Sequence, residues 1–235
     1  MKLMSFNTQH CLNYITKEID FDLMAETIKN CGADIIGLNE MRGEGPDPTY
    51  TDQVPVLSKL TGIPHYYFAE AIKVYGENPY GNGLLSKSPI LSAETVMVPD
   101  PEVRAYNGFY ETRCLLKAKL ENGLTVMTIH IGLNPDEQAN AINTVLEHLE
   151  DKKCILMGDF NMHPDNELLH PIRERMKDAA ALFSSPLLSC PSDKPVEKID
   201  YIFVSPDIEI VDADIPAIIA SDHRPHLATV NLPKE

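Results

Sequence analysis

Tryptophan is absent from these 235 residues, and basic residues are scarce: 20 Lys and Arg stand against 35 Asp and Glu, a formal net charge of −15. With so few cations there is little to neutralise a run of phosphates, and Lys2, Lys17, Lys29 and Lys59 form no stripe. The lack of Trp removes the strongest surface for stacking a base. A stoichiometric binder of nucleic acid or anionic membrane is therefore disfavoured. Long apolar runs are missing as well. The opening Met1-Lys2-Leu3-Met4-Ser5-Phe6-Asn7 is too short for a secretory core or a bilayer span, so no stable membrane association is expected. Cysteine is sparse and unpatterned. Cys11, Cys31, Cys114, Cys154 and Cys190 are odd in number and contain no C-x-x-C, which argues against a disulfide framework or structural zinc and for reduced thiols in a cytoplasmic protein. The acidic balance leaves chemistry on phosphates open, because a bound divalent cation inverts the local field.

What is present is a chain of ordinary globular composition, 43% hydrophobic and 23% charged. No Pro/Gly/Ser linker divides it, so residues 1–235 read as a single domain. Leu3 to Phe6 is a buried strand. Asp20 caps a helix whose apolar positions Leu23, Met24, Thr27, Ile28 and Cys31 recur at helical spacing before Gly32 ends it, and Ala33 to Leu38 is the next strand. Thr51 and Pro55 open a second helix with Leu57 and Leu60 inward and Gly62 at its stop. The middle is strand-rich: His65 to Glu70, Gly83 to Ser86, Leu91 to Val98, Arg113 to Leu120 and Leu124 to Ile131, with the hairpin signal Asn122-Gly123. Asn134-Pro135-Asp136-Glu137 then starts a helix. Cys154 to Gly158, Lys198 to Val204, Ile208 to Val211 and His226 to Val230 complete the strands, and Ser184 to Pro195 is the longest irregular stretch. Leu3-Met4-Ser5-Phe6-Asn7 and Leu156-Met157-Gly158-Asp159-Phe160-Asn161 echo one another, each opening a half that mixes strands and helices. The pattern predicts an α/β fold, a four-layer sandwich of two mixed β-sheets packed face to face with helices outside.

Several strands end in side chains that ligate metal or move protons: Asn7, Asn39-Glu40, Asp159 with Asn161, and His130; Ser221-Asp222-His223 precedes the last strand, and Asp200 lies within another. Ends of neighbouring strands meet at one rim of a sheet. A set of Asn, Glu, Asp and His offers oxygen ligands for a hard cation such as Mg²⁺ together with a proton acceptor, and phosphate-ester hydrolysis needs both.

Phe6-Asn7, Asn39-Glu40, Gly158-Asp159-Phe160-Asn161, Ile199-Asp200-Tyr201 and Ser221-Asp222-His223, in this order from Leu3 to Val230, make the chain resemble the endonuclease/exonuclease/phosphatase superfamily, the deoxyribonuclease-like metal-dependent phosphohydrolases. That resemblance implies the same sandwich, a Mg²⁺ or Mn²⁺ cofactor, and roles for particular residues. Glu40 would be the principal metal ligand, with Asn7 and Asp222 near the same ion. Asp159 and Asn161 would position or deprotonate the attacking water, His223 would act as acid/base or transition-state donor, and Asp200 would orient a histidine. His130 matches a further active-site histidine, Arg113 a phosphate-binding arginine, and Glu70 a glutamate that pairs with a catalytic histidine only in the deoxyribonuclease-like branch.

The substrate is left open among a small phosphorylated metabolite, lipid headgroup or phosphodiester, then DNA or RNA, then a membrane sphingolipid, with the charge favouring the first. A non-catalytic binding module of the same fold is the alternative of another class. The loop from Arg42 to Tyr50, with Tyr50, Tyr75, Tyr80 and Tyr106, is expected to line the pocket.

Overall fold

The computed structural model describes residues 1–233. Its first half runs β1 (Lys2–Asn7), α1 (Phe21–Cys31), β2 (Ile35–Arg42), α2 (Gln53–Thr61), β3 (His65–Val74) and β4 (Asn78–Ser86). The second runs β5 (Ile90–Met97), β6 (Cys114–Leu120), β7 (Thr125–His130), α3 (Pro135–His148), β8 (Cys154–Asp159), α4 (His170–Arg175), β9 (Lys177–Asp178), β10 (Asp200–Val204), β11 (Glu209–Asp214) and β12 (His226–Asn231). Two six-stranded sheets result, in the orders β11-β12-β1-β2-β4-β3 and β5-β6-β7-β8-β10-β9. Each has one parallel pair at its centre, β1 with β2 and β7 with β8, and is otherwise antiparallel.

Burial follows from the period-two alternation of the strands. One apolar cluster, with Leu3, Ile35, Leu116, Val126, Ile155 and Ile202, fills the space between the sheets. A second, with Phe6, Met24, Ile28, Ile36 and Leu57, lies between the first sheet and helices α1 and α2. A third, with Ile142, Val145, Leu156, Ile172 and Phe203, lies between the second sheet and helices α3 and α4. Helix, sheet, sheet, helix are the four layers the sequence predicts. Helix α1 is capped by Asp20, whose side chain accepts from the Leu23 amide, and ends on left-handed Gly32; α3 carries the capping box of Asn134 and Glu137.

Three expectations need correction. Leu60 is exposed rather than inward, because the buried stripe of α2 is Val54, Leu57 and Ser58, and residue 60 lies roughly 240° around the helix from Val54. The strands read as His65–Glu70 and Gly83–Ser86 run on into one long hairpin, β3–β4, across the turn at Gly76. The sequence echo of β1 in β8 is not the structural repeat. The parallel unit β1-α1-β2, flanked by β12 beside β1 and β4 beside β2, has its counterpart in β7-α3-β8, flanked by β6 beside β7 and β10 beside β8. Topology therefore equates β1 with β7 and β2 with β8, so that Asn7 matches His130 and Glu40 lies in the strand corresponding to that of Asp159.

Candidate active site

Register brings chemistry together first. His130 pairs with Asp159 across β7 and β8, and Asp159 with Asp200 across β8 and β10, so three functional side chains stand at one level on adjacent strands. In the opposite sheet Asn7 pairs with Asn39. At Asn39 the β2–β4 ladder slips: Leu38 faces Gly83 but Met41 faces Gly81, so Asn39 and Glu40 together oppose Asn82. Glu40 sits in this bulge at φ 61°, a left-handed conformation that strains a non-glycine residue. The bulge separates two neighbours by task. Asn39 is buried between the sheets, donating to Asn82 Oδ1 (2.8 Å) and the Ile129 carbonyl (3.0 Å) while its Oδ1 accepts from the Asp159 amide (3.0 Å). Glu40 reaches the half-buried rim.

Gly158 sets Asp159. Its φ is 147°, and a Cβ there would lie 1.8 Å from the Ile129 carbonyl oxygen, so only glycine lets β8 approach β7 this closely. Phe160 then turns into the outer core against Tyr201 and Phe203, at centroid distances of 5.1 and 5.6 Å, and pins the turn to left-handed Asn161.

Asp159 is the hub. Its Oδ2 accepts from Asn7 Nδ2 (3.0 Å), and Oδ1 accepts from the Asn161 amide (3.0 Å). The Nε2 atoms of His130 and His223 each lie 3.6 Å from the same Oδ2. Burial, with the Asp200 charge beyond it, raises the proton affinity of this carboxyl. The two histidines differ in state. Burial and the Arg113 charge hold His130 well below its ordinary pKa, so its ring is neutral. The guanidinium at 3.0 Å from Nδ1 can only donate, and the Asn161 side-chain amide nitrogen lies 3.2 Å from Nε2, so both ring nitrogens face N–H groups beside Asp159. Burial opposes a charge on His223 too, but its Nδ1 lies 2.8 Å from Asp200 Oδ2, and Asp200 with Asp159 raises it well above the ordinary value. His223 is the buried cation of the group.

On the other side of Asp159, Asn7 Nδ2 also donates to Glu40 Oε1 (3.0 Å), and the Tyr80 hydroxyl donates to Glu40 Oε2 (2.8 Å). Asp222 is raised by burial and further by the Glu40 charge, with His223 opposing. Among the described residues no Lys or Arg forms an ion pair with either Glu40 or Asp222. The histidine ion pairs do not involve them either.

Asn7, Glu40, His130, Asp159, Asn161, Asp200 and His223 thus join one hydrogen-bonded and ionic network, and Asp222 adjoins it through the neighbouring His223. Arg113 is there too, but its Nη1 is held by Glu111 at 2.6 Å as well as by His130, and its buried Nε has no partner among the described residues. Glu70 is not brought in. It stands exposed on edge strand β3, while His130 is held by Arg113. Of the four tyrosines expected at the pocket, Tyr80 alone bonds a site residue: Tyr50 is buried under Arg42, Tyr75 is 92% exposed at the β3–β4 turn, and Tyr106 is half exposed. His10, which no motif marks, lies close enough to Glu40 and Arg42 to feel both; burial first, then Arg42, lowers its pKa to about 4. It occupies a left-handed turn after β1.

A model of the endonuclease/exonuclease/phosphatase family matches residues 4–223. No curated protein matches the chain. Among solved structures, an endonuclease/exonuclease/phosphatase from Beutenbergia cavernae superposes with a TM-score of 0.80 at 20% identity, over 99% of this chain and 72% of that one. A mannosyl-6-phosphatase from Bacteroides thetaiotaomicron superposes at 0.75 and 13% identity over 99% and 100% of the two chains. A humanized TDP2 from D. rerio gives 0.70 at 16% identity over 98% of each.

Proposed function

The chain belongs to the endonuclease/exonuclease/phosphatase family, and from that premise we propose that it is a divalent-metal-dependent hydrolase of a phosphate ester, acting on a small molecule or headgroup rather than on duplex nucleic acid. The observation that carries this reading is the convergence of a neutral and a cationic histidine on one Asp159 oxygen, beside two carboxylates, Glu40 and Asp222, that form no ion pair among the described residues. Glu40 and Asp222 fit Mg²⁺ or Mn²⁺ by donor chemistry: both offer hard oxygen, the Glu40 charge bears on Asp222, and among the described residues neither is held in an ion pair. Asp159, Asp200 and His223 also lie close enough together to ligate an ion. A histidine that carries its own proton is a poor ligand, so we assign that trio to proton handling. When bound, a divalent cation would neutralise phosphoryl charge and help the leaving oxygen depart.

The chain's own groups divide the remaining work. Asn7 bridges Glu40 and Asp159 and fixes their spacing. Asp159, with its raised proton affinity, accepts a proton from the attacking water, which Asn161 helps to hold. His223 donates from Nε2 to the phosphoryl or leaving oxygen, with Asp200 keeping it charged and aligned. His130, neutral and held by Arg113 and Asn161, keeps its ring against the Asp159 carboxylate. Turnover of a panel of phosphomonoesters, phosphodiesters, nucleic acids and headgroups tests this. At least one small ester is expected to be hydrolysed with Mg²⁺ or Mn²⁺, to stop with chelator and to resume on adding metal. Chelator-resistant turnover, or none across the panel, would overturn the proposal.

A further inference from the structure

At the β9–β10 edge of the second sheet lies a cavity of about 400 Å³ that none of the roles above uses. Its size is that of a small-molecule site. Phe183, Pro186, Leu187, Leu188 and Val196 give it apolar walls. Three ionisable side chains interrupt them, His163, Asp178 and Lys198. Lys198 is only 5% exposed; its ammonium donates to the Asp200 carbonyl and lies 3.4 Å from the centre of the Tyr201 ring. Among the described residues no carboxylate forms an ion pair with it. Asp178, the carboxylate on the cavity wall, accepts from the Ala180 amide (2.9 Å) and from Arg173 (3.4 Å). A buried ammonium held in no ion pair is costly: burial draws this one down to about 8, with the more distant Asp178 and Asp200 charges opposing. An anion entering from the cavity would complete it.

The cavity is continuous in chain with the catalytic group. His163 on its wall follows Asn161 by two residues, Lys198 precedes Asp200 by two, and Leu188 adjoins Ser189, which lies beside Asp200. We propose that this cavity receives the non-reacting end of the substrate, and that this end is an apolar or aromatic body bearing an anionic group that pairs with Lys198. The word substrate rests on the phosphohydrolase reading above; the binding site does not.

Two measurements test it. In the first, fluorescence titration compares 1-anilinonaphthalene-8-sulfonate with uncharged N-phenyl-1-naphthylamine on the intact protein. The sulfonate should bind saturably and weaken at least about tenfold in Lys198→Met, while the amine is unaffected. Leu188→Trp, which fills the cavity and keeps the lysine, should exclude both. Sulfonate binding that survives either substitution at native strength overturns the site. The second measurement uses paired aryl phosphates, one with a carboxylate remote from the ester. Lys198→Met should raise KM for the carboxylated ester about tenfold, leaving its kcat and the KM of the plain ester near native. An equal KM change for both overturns the assignment to substrate. Failure to turn over any ester would instead fell the phosphohydrolase reading, and the fluorescence titration would still decide the cavity.

Discussion

At Glu40 two neutral groups, Asn7 and Tyr80, each donate to one oxygen of the carboxylate. Such supporting bonds orient ligating groups and tune their affinity. Tyr80→Phe deletes one of them without changing the ring. It is expected to raise the Mg²⁺ concentration for half-maximal turnover about tenfold, read from metal titration of the rate; an unchanged midpoint would remove Tyr80 from the site. The His223–Asp200 pair makes a sharper test. Asp200 holds the imidazole proton against a burial that expels it. In Asp200→Asn only Asp159 still opposes the burial, the His223 pKa drops, and the cation persists only at lower pH. The alkaline limb of kcat/KM should then move acidward by about one unit or more. A limb that stays in place would detach the His223 charge from the rate.

Among the elements, β8 is the one on which most depends. Gly158 allows its close approach to β7, and Phe160 anchors the turn beyond it. Gly158→Ala must push the two strands apart or break the turn, at a cost of about 3 kcal/mol or more. Urea unfolding measures this, and a native-like midpoint would show that the strands yield freely. Much at this scale was legible beforehand, for physical reasons. Buried strands wrote themselves as apolar runs, α1 announced itself through Asp20 and Gly32, and α3 through its capping box. Most of the strand-end polar residues meet because the ends of adjacent strands must. What escaped notice depends on backbone detail. The bulge that splits Asn39 from Glu40 carries no residue signature, because Glu40 takes a left-handed conformation usually left to glycine. Short α4 lacks the length for a periodic pattern. Glu70 looked suitable by type, yet residue type does not reveal that β3 is an edge strand whose side chain there points to solvent. His10 and the Lys198 cavity arise from loops brought together by the fold, which local pattern cannot foresee.

Across the whole molecule the charge of −15 bears on what can approach. A polyanion meets long-range repulsion that a small ester largely escapes at about 0.15 M salt, where screening lengths are roughly 8 Å. Supercoiled plasmid should therefore remain intact under conditions in which small esters are turned over, and efficient nicking would reverse the substrate assignment. The sandwich has a further property at this scale. Asn39 grips β4, β7 and β8 from its place in β2, so a single buried amide stitches the two sheets together directly beneath the catalytic rim. A tie of this kind resists both sliding and splaying of the sheets at that level. Selection among molecules of similar chemistry then falls to the outline of the mouth above it, drawn by the irregular connections around that mouth. A new preference would come from redrawing those connections while the stitched base stays as it is.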